Sequence, residues 1–357
     1  MLKAESTIGI LGGGQLGRML ALAAARLGFS CHIYSPDTDS CAFEVVKHTT
    51  CAAYEDVEAL ARFAEAVDVV TYEFENVPAA AASVLSAHRQ VLPDPAVLAT
   101  TQDRLIEKRF VDGLGIATAA FADVSTEADL GAAVKAVGAR AVLKTRRLGY
   151  DGKGQKMIAS AAEAADAWRE LRQVPCILEG FVPFEREISV VAARGHDGAV
   201  ECFDVTENEH RDHILKVSKV PAAVSAAVAA EARRIAEAIA GAFSYVGVLA
   251  VEMFVVRDGA GHTVLVNEIA PRVHNSGHWT IDGASVSQFE QHIRAVAGWP
   301  LGKPVRRGRV EMTNLIGPEA HDYGKWLLLP DTAVHLYGKK DARPGRKMGH
   351  VTRVLAD

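Results

Sequence analysis

The chain has 357 residues and a formal net charge of −5, from 39 Lys and Arg against 44 Asp and Glu. Hydrophobic residues make up 49% and charged residues 23%, which excludes a disordered or collagen-like chain and predicts two or three domains at about 150 residues each. The mild acidic balance argues against nucleic acid as a partner, but leaves room for a local basic pocket around a phosphorylated small molecule.

The apolar stretch before the first glycines is too short for a signal peptide, and no run of roughly 18 uncharged apolar residues predicts a membrane span. Five cysteines (Cys31, Cys41, Cys51, Cys176, Cys202) lack CxxC spacing and fit reduced thiols in the cytoplasm.

In chain order, residues 7–11 read as a strand, Gly12-Gly13-Gly14 breaks it, and 16–27 has helical spacing. Gly28 stands where a helix C′ glycine belongs, and 30–34 resumes a strand. A helix over 57–66 and a strand over 67–72 continue the alternation, which predicts a parallel sheet with right-handed crossovers. The prolines at 93 and 95 mark its end, and 96–114 reads as one helix closed by Gly115. A smaller unit follows: a strand over 142–145, a glycine-rich loop over 147–155, a helix over 160–172 and a strand over 176–182. The last region predicts strands over 188–193, 250–256 and 264–269, with an Ala-rich helix over 222–239.

Gly12 to Gly17 satisfies G-x-G-x-x-G between a strand and a helix, where backbone N–H groups and the helix dipole favour phosphate. Asp37 invites a dinucleotide reading, but it follows Pro36 beyond the strand. Lys144, at a strand end beside the loop Gly149-Tyr150-Asp151-Gly152-Lys153-Gly154-Gln155, suits clamping of nucleotide phosphates, or a polar surface hairpin. Glu179-Gly180-Phe181-Val182 leaves a strand with Glu185 and Glu187 just beyond, which suits an adenine edge and ribose or a plain edge strand.

Glu252 begins one predicted strand and Glu268 ends the next, so antiparallel pairing would join both acids and Asn267 in a hard-oxygen site for Mg²⁺. The segment 270–280 is polar and rich in donors. His274 and His278 have the i, i+4 spacing of a zinc pair, but Pro271, Asn275 and Gly277 disfavour the helix that such a pair needs. Lys339, Lys340, Arg343, Arg346 and Lys347 form a second basic cluster.

In their order along the chain these motifs resemble the ATP-grasp superfamily and, within it, the N5-carboxyaminoimidazole ribonucleotide synthetases. The carriers are GGGQLGRML at 12–20, YEFENV at 72–77, GYDGKGQ at 149–155, NEIAPRVHNSGHWT at 267–280 and RPGRKMGH at 343–350. The resemblance implies an α/β ATP-grasp fold. An N-terminal parallel-sheet, Rossmann-like preATP-grasp domain would span 1–101, a small lid domain 102–183 and a larger C-terminal α+β domain 184–357. It implies ATP, Mg²⁺ or Mn²⁺, 5-aminoimidazole ribonucleotide and bicarbonate as ligands, carboxyphosphate as intermediate, and a cytoplasmic homodimer without nucleic-acid or membrane partners.

Carried onto this sequence, the resemblance places Arg104, Lys144 and the loop from Gly149 through Tyr150, Asp151, Gly152, Lys153 and Gly154 to Gln155 on ATP phosphates. Glu179, Gly180, Phe181 and Val182 would line the adenine, Glu187 the ribose, and His210 and Asn267 the nucleotide. Glu252 and Glu268 would hold the metal. Gly14, Gln15, Leu16, Lys339 and Arg346 would meet the substrate phosphate, and Glu73 its ribose or aminoimidazole. Tyr150, Arg272, His274 and Asn275 would surround bicarbonate and carboxyphosphate. Family members usually continue beyond the seven residues that follow His350 here. Two alternatives are a sister ligase such as formate-dependent glycinamide ribonucleotide transformylase and, from another class, an NAD-binding oxidoreductase.

Overall fold

A computed structural model describes residues 1–138, 140–149, 152–259 and 261–356; Tyr150 and Asp151 of the glycine-rich loop lie outside the described residues. Among these residues the strands form three sheets.

The first contains β1 (Thr7–Leu11), β2 (Ser30–Ser35), β3 (His48–Cys51) and β4 (Val69–Tyr72), paired in parallel in the order β3-β2-β1-β4. Helices α1 (Gln15–Arg26), α2 (Val57–Glu65) and α3 (Ala79–His88) are interleaved with these strands. Four of the five β1 residues are buried, the continuous apolar pattern of a strand covered on both faces. Gly28 adopts φ +85° after α1, as the C′ position requires. β1 lies between β2 and β4, so the crevice at their carboxyl ends is where open α/β sheets take ligands.

The helix expected over 96–114 is two helices, α4 (Pro95–Thr101) and α5 (Arg104–Gly113). Asp103 makes the break: its carboxylate accepts from the Leu105 and Ile106 amides as the N-cap of α5, and both its oxygens take Arg146. The break places Arg104, Glu107 and Lys108 in the first turns of a helix laid against the strand that carries Glu268.

The second sheet is antiparallel, with β5 (Phe121–Val124), β6 (Ala141–Thr145), β7 (Gln155–Ile158) and β8 (Cys176–Gly180) in the order β5-β8-β6-β7. Helices α6 (Asp129–Val137) and α7 (Ala164–Glu170) pack on it through Leu130, Val134 and Trp168. The helix expected over 160–172 opens with a 3-10 turn, Ala161–Glu163, which leaves α7 short.

The third sheet has nine strands. Eight run β14-β13-β9-β11-β12-β15-β17-β16: β9 (Arg186–Arg194), β11 (Thr206–Arg211), β12 (Ile214–Val220), β13 (Gly247–Asp258), β14 (Gly261–Ala270), β15 (Arg309–Ile316), β16 (Thr332–Leu336) and β17 (Lys347–Leu355). β10 (Val200–Cys202) pairs with β9 outside that path. The segment after His350 completes β17. Side chains alternate across this sheet. Ile188, Val190, Leu249, Val251, Met253 and Val255 pack against α8 (Ala226–Ala242). The opposite face carries Glu187, Ser189, Asn208, Ser218 and Glu252 in neighbouring registers.

Candidate active site

The acidic pair is set by strand register. Glu252 pairs directly with Glu268 across β13 and β14, and the ladder shifts between Glu252 and Met253. Both acids lie inside longer strands rather than at their ends, so the expected juxtaposition holds while the expected strand limits do not. Each acid has a basic partner. The Arg104 guanidinium donates to Glu268 Oε2 at 3.0 Å and to the Gly149 carbonyl at 3.1 Å, tying the glycine-rich loop to β14. His274 Nε2 lies 3.0 Å from Glu252 Oε1. His210 pairs with Glu187 beside a small cavity that Asn208, Glu252 and Asn267 also line.

Lys144, in β6 opposite Gln155 and Ile177, donates to Glu179 Oε2 at 2.8 Å. The same oxygen lies 3.9 Å from Lys108 Nζ, which donates to the Val266 carbonyl at 3.1 Å. Lys108 is 2% exposed and Glu179 4%. Burial alone would raise the Glu179 carboxyl; Lys108 and Lys144 outweigh it and hold the group at about 2. Burial lowers Lys108. Glu179 thus turns its carboxylate into an ion network, while the Gly180 and Phe181 amides donate to the Ala120 and Arg140 carbonyls. Phe181 holds the Arg140 guanidinium 3.6 Å from its ring centroid. Glu107, next to Lys108, is 3% exposed and accepts from the Ile269 amide at 2.6 Å. Neither Glu107 nor Lys108 was expected from the sequence, where a charged pair in a helix reads as a solvated face.

At the parallel sheet, Glu73 follows β4 and folds onto the first glycine loop. Its Oε1 accepts from the Gly14 amide at 2.8 Å, and a Cβ at Gly12, whose φ is +109°, would fall 2.5 Å from the same carboxylate. Burial raises the Glu73 carboxyl, opposed by the loop amides and Arg272. Glu73 therefore already holds the Gly14 amide, one donor of the glycine loop. Gln15 and Leu16 open α1 beside it.

Of the two adjacent lysines, Lys339 turns inward: it donates to the Lys347 carbonyl at 2.8 Å, lies in the field of Glu73 and is lowered to about 8 by burial. Lys340 is exposed and pairs with Asp39 at 2.7 Å. Arg346 donates to the Asp341 carbonyl at 2.9 Å.

Arg272 joins the two regions. It pairs with Glu75 at 2.6 Å and feels Glu73 and Glu268. Neither amide atom of Asn275 meets a hydrogen-bond partner among the described residues, although both are buried. His278 hydrogen-bonds Gln288 while His274 faces Glu252, so the two histidines do not converge as a zinc pair would. Of the loop glycines, Gly152 and Gly154 flank Lys153 before β7; Tyr150 and Asp151 fall outside the description.

The donor chemistry fits a hard divalent cation. Among the described residues no three His, Cys, Asp or Glu side chains surround a common point. Glu252 and Glu268 would offer two carboxylates and leave other positions to phosphate and water, as Mg²⁺ prefers.

A strand-borne lysine and glycine loop on a small antiparallel sheet, facing paired acids on a larger one, is the architecture of an ATP-grasp ligase. A model of the ATP-grasp domain matches residues 109–289, one of the ribonucleotide synthetase preATP-grasp domain 5–102, and one of the phosphoribosylaminoimidazole carboxylase C-terminal domain 311–357. N5-carboxyaminoimidazole ribonucleotide synthase of Brucella melitensis is 54% identical, covering 99% of this chain and 97% of that protein. The Pseudomonas aeruginosa synthase is 47% identical over 98% and 95%. A crystal structure of an ADP complex of an N5-carboxyaminoimidazole ribonucleotide synthetase superposes with TM-score 0.95 at 39% identity, over 100% and 94%. The Aspergillus clavatus enzyme, solved with ADP and 5-aminoimidazole ribonucleotide, gives 0.91 at 31%, over 99% and 94%. The chain belongs to the N5-carboxyaminoimidazole ribonucleotide synthase family of ATP-dependent ligases.

Proposed function

We propose that the protein carboxylates 5-aminoimidazole ribonucleotide to N5-carboxyaminoimidazole ribonucleotide, using ATP and bicarbonate, in purine biosynthesis. A bicarbonate oxygen attacks the γ-phosphorus, the bond to the bridging oxygen breaks, and ADP leaves with its electron pair. The exocyclic amine then bonds to the carbon of carboxyphosphate; phosphate departs and takes up the amine proton. Carboxyphosphate must be shielded from water to survive this interval.

The observation that carries this reading is Arg272, a largely buried cation between Glu75 of the parallel-sheet side and the field of Glu268 on the metal strand. It spans the two sites that the reaction must join. In this reading Arg272, His274, Asn275 and Tyr150 hold the bicarbonate-derived anion. Arg104, Lys144 and the glycines and Lys153 of the 149–155 loop take the ATP phosphates. Glu179, Gly180, Phe181 and Val182 line the adenine, and Glu187 with His210 and Asn267 the rest of the nucleotide. Gly14, Gln15, Leu16, Lys339 and Arg346 bind the ribonucleotide phosphate, with Glu73 toward its sugar or base. Glu252 and Glu268 hold Mg²⁺, which when bound neutralises charge on the transferring phosphoryl group. The chain divides at 1–101, 102–183 and 184–357 and works as a cytoplasmic homodimer on small molecules, without nucleic acid or membrane.

ADP release from ATP, Mg²⁺ and bicarbonate tests the reading. Strong stimulation by 5-aminoimidazole ribonucleotide, and none by glycinamide ribonucleotide with formate, is expected. Equal rates with and without the aminoimidazole would overturn the substrate assignment. The alternative of an NAD-binding oxidoreductase is disfavoured because it leaves the loop beside Lys144 and the Glu252–Glu268 pair without a role.

A further inference from the structure

Beneath His274 lies a line of buried polar side chains that the roles above do not use. Ser276 is fully buried, as are Ser189 on β9 and Ser218 on β12; Asn208 on β11 is 7% exposed. They run as an unbroken chain across the sheet: His274 Nδ1 to Ser276 Oγ at 2.9 Å, Ser276 Oγ to Ser189 Oγ at 2.8 Å, Ser189 Oγ to Asn208 Nδ2 at 2.9 Å, and Asn208 Oδ1 to Ser218 Oγ at 2.9 Å.

The direction of every bond follows from one end. The Ser276 main-chain N–H points at His274 Nδ1 at 3.3 Å, and an amide N–H only donates. Nδ1 is therefore the bare nitrogen, and the ring hydrogen is on Nε2, 3.0 Å from Glu252 Oε1. A bare Nδ1 makes the Ser276 hydroxyl a donor to it. With that hydrogen spent, Ser276 Oγ accepts from the Ser189 hydroxyl, Ser189 Oγ accepts from the Asn208 amide, and Asn208 Oδ1 accepts from Ser218. Each group uses the donor or acceptor it has left, and the chain closes without a conflict.

We propose that Ser276, Ser189, Asn208 and Ser218 are positioning residues that fix His274 as its Nε2–H tautomer and aim that hydrogen at Glu252. His274 then acts as a donor that pins one oxygen of Glu252 and turns the other toward the bound ligands. The proposal rests on the roles given above to His274 and Glu252, but its spectroscopic test does not pass through the reaction.

Protein labelled with ¹⁵N-histidine, read by long-range ¹H–¹⁵N correlation and assigned with His274→Gln, is expected to show an unprotonated Nδ1 and a protonated Nε2 at His274. Ser276→Ala is expected to mix in the Nδ1–H form and to lower kcat about tenfold with KM for ATP unchanged. Asn208→Asp replaces the one amide donor by an acceptor. The Ser189 hydroxyl then turns to the new carboxylate and Ser276 Oγ loses its donor, while the Ser276 main-chain N–H still faces Nδ1, so the Nε2–H form is expected to persist and kcat to fall. An Nδ1–H tautomer in the unaltered protein, or an unchanged tautomer together with an unchanged kcat in a folded Ser276→Ala, would overturn the proposal. If a variant does not fold, the unaltered protein's spectrum decides alone. Loss of the carboxylation reading with the Nε2–H tautomer intact would remove the substrate and leave the relay standing.

Discussion

Replacing Lys108 by Met tests the ion network behind the nucleotide site. The substitution keeps the length of the side chain and removes a charge that is 2% exposed. At 3.9 Å from Glu179 Oε2, its attraction is about 4 kcal/mol at an effective dielectric of about 20. Removing one partner of a buried pair costs about 3 to 5 kcal/mol, because the other charge stays behind. Lys144 remains 2.8 Å from Glu179, which puts the expected loss at the low end, about 3 kcal/mol in urea unfolding. Glu179 would then depend on Lys144 alone, and ATP phosphates would have to win that lysine from it. ATP affinity measured by calorimetry is expected to fall about tenfold, or about 1.4 kcal/mol. Glu179→Gln on top of Lys108→Met should recover much of both losses, since it removes the stranded charge. If the two substitutions instead add their losses in stability, the ionic coupling is absent and the reasoning fails.

The same network sets an acid limit. Glu179 is held near 2 against an ordinary value of 4.5, so its contribution is complete above 4.5 and is lost as pH falls toward 2. Glu179→Gln should flatten the stability curve between those values, and an unchanged acid limb would exclude Glu179 as its source. Lys339, lowered to about 8 by burial, carries its charge below that pH, so KM for the ribonucleotide should rise above pH 8. Lys339→Arg should abolish that rise, while Lys340→Ala, an exposed partner of Asp39, should leave KM unchanged. Glu268→Gln is expected to raise the Mg²⁺ concentration for half-maximal turnover at least tenfold; unchanged Mg²⁺ dependence would remove Glu268 from the metal site. Arg272→Ala should spare ATP binding in calorimetry and abolish carboxylation, and a normal product yield would refute its role as anion clamp.

The parts of the site that were legible in the sequence are those whose chemistry is local. A glycine run after an apolar strand needs no partner to be read, and Glu252 and Glu268 follow from two adjacent strands paired antiparallel. What escaped depends on contacts distant in sequence. β3, His48–Cys51, lies at the sheet edge with three of its four residues exposed, so no apolar pattern marks it. Asp103 has the composition of a helical surface residue, and only the capping of α5 and the grip on Arg146 show that it ends one helix and begins another. Lys108 is buried because Glu179 and the Val266 carbonyl reach it from other elements, 71 and 158 residues along the chain. Ser189, Asn208 and Ser276 carry no charge and make no motif; register and a loop alone bring them together.

Three cations around the site already have a carboxylate partner: Lys144 has Glu179 at 2.8 Å, Arg104 has Glu268 at 3.0 Å and Arg272 has Glu75 at 2.6 Å. Such pairing holds long, flexible side chains in one place, so their rotamer entropy is spent before a ligand arrives. It also sets a threshold. A weak anion gains less from a guanidinium than the carboxylate it must displace, whereas a polyphosphate offers several charged oxygens to several cations at once. Glu268 makes the threshold cooperative. A cation on that carboxylate weakens its hold on Arg104, and Arg104 also grips the Gly149 carbonyl of the loop that carries Lys153. Charge arriving at Glu268 is thereby coupled to the glycine-rich loop through one arginine. Arg104→Lys, which keeps the charge and loses the fork, should uncouple them: Mg²⁺ is expected to strengthen ATP binding in the unaltered protein and to do so less in the variant. An undiminished Mg²⁺ effect in that variant would show that the arginine only adds charge.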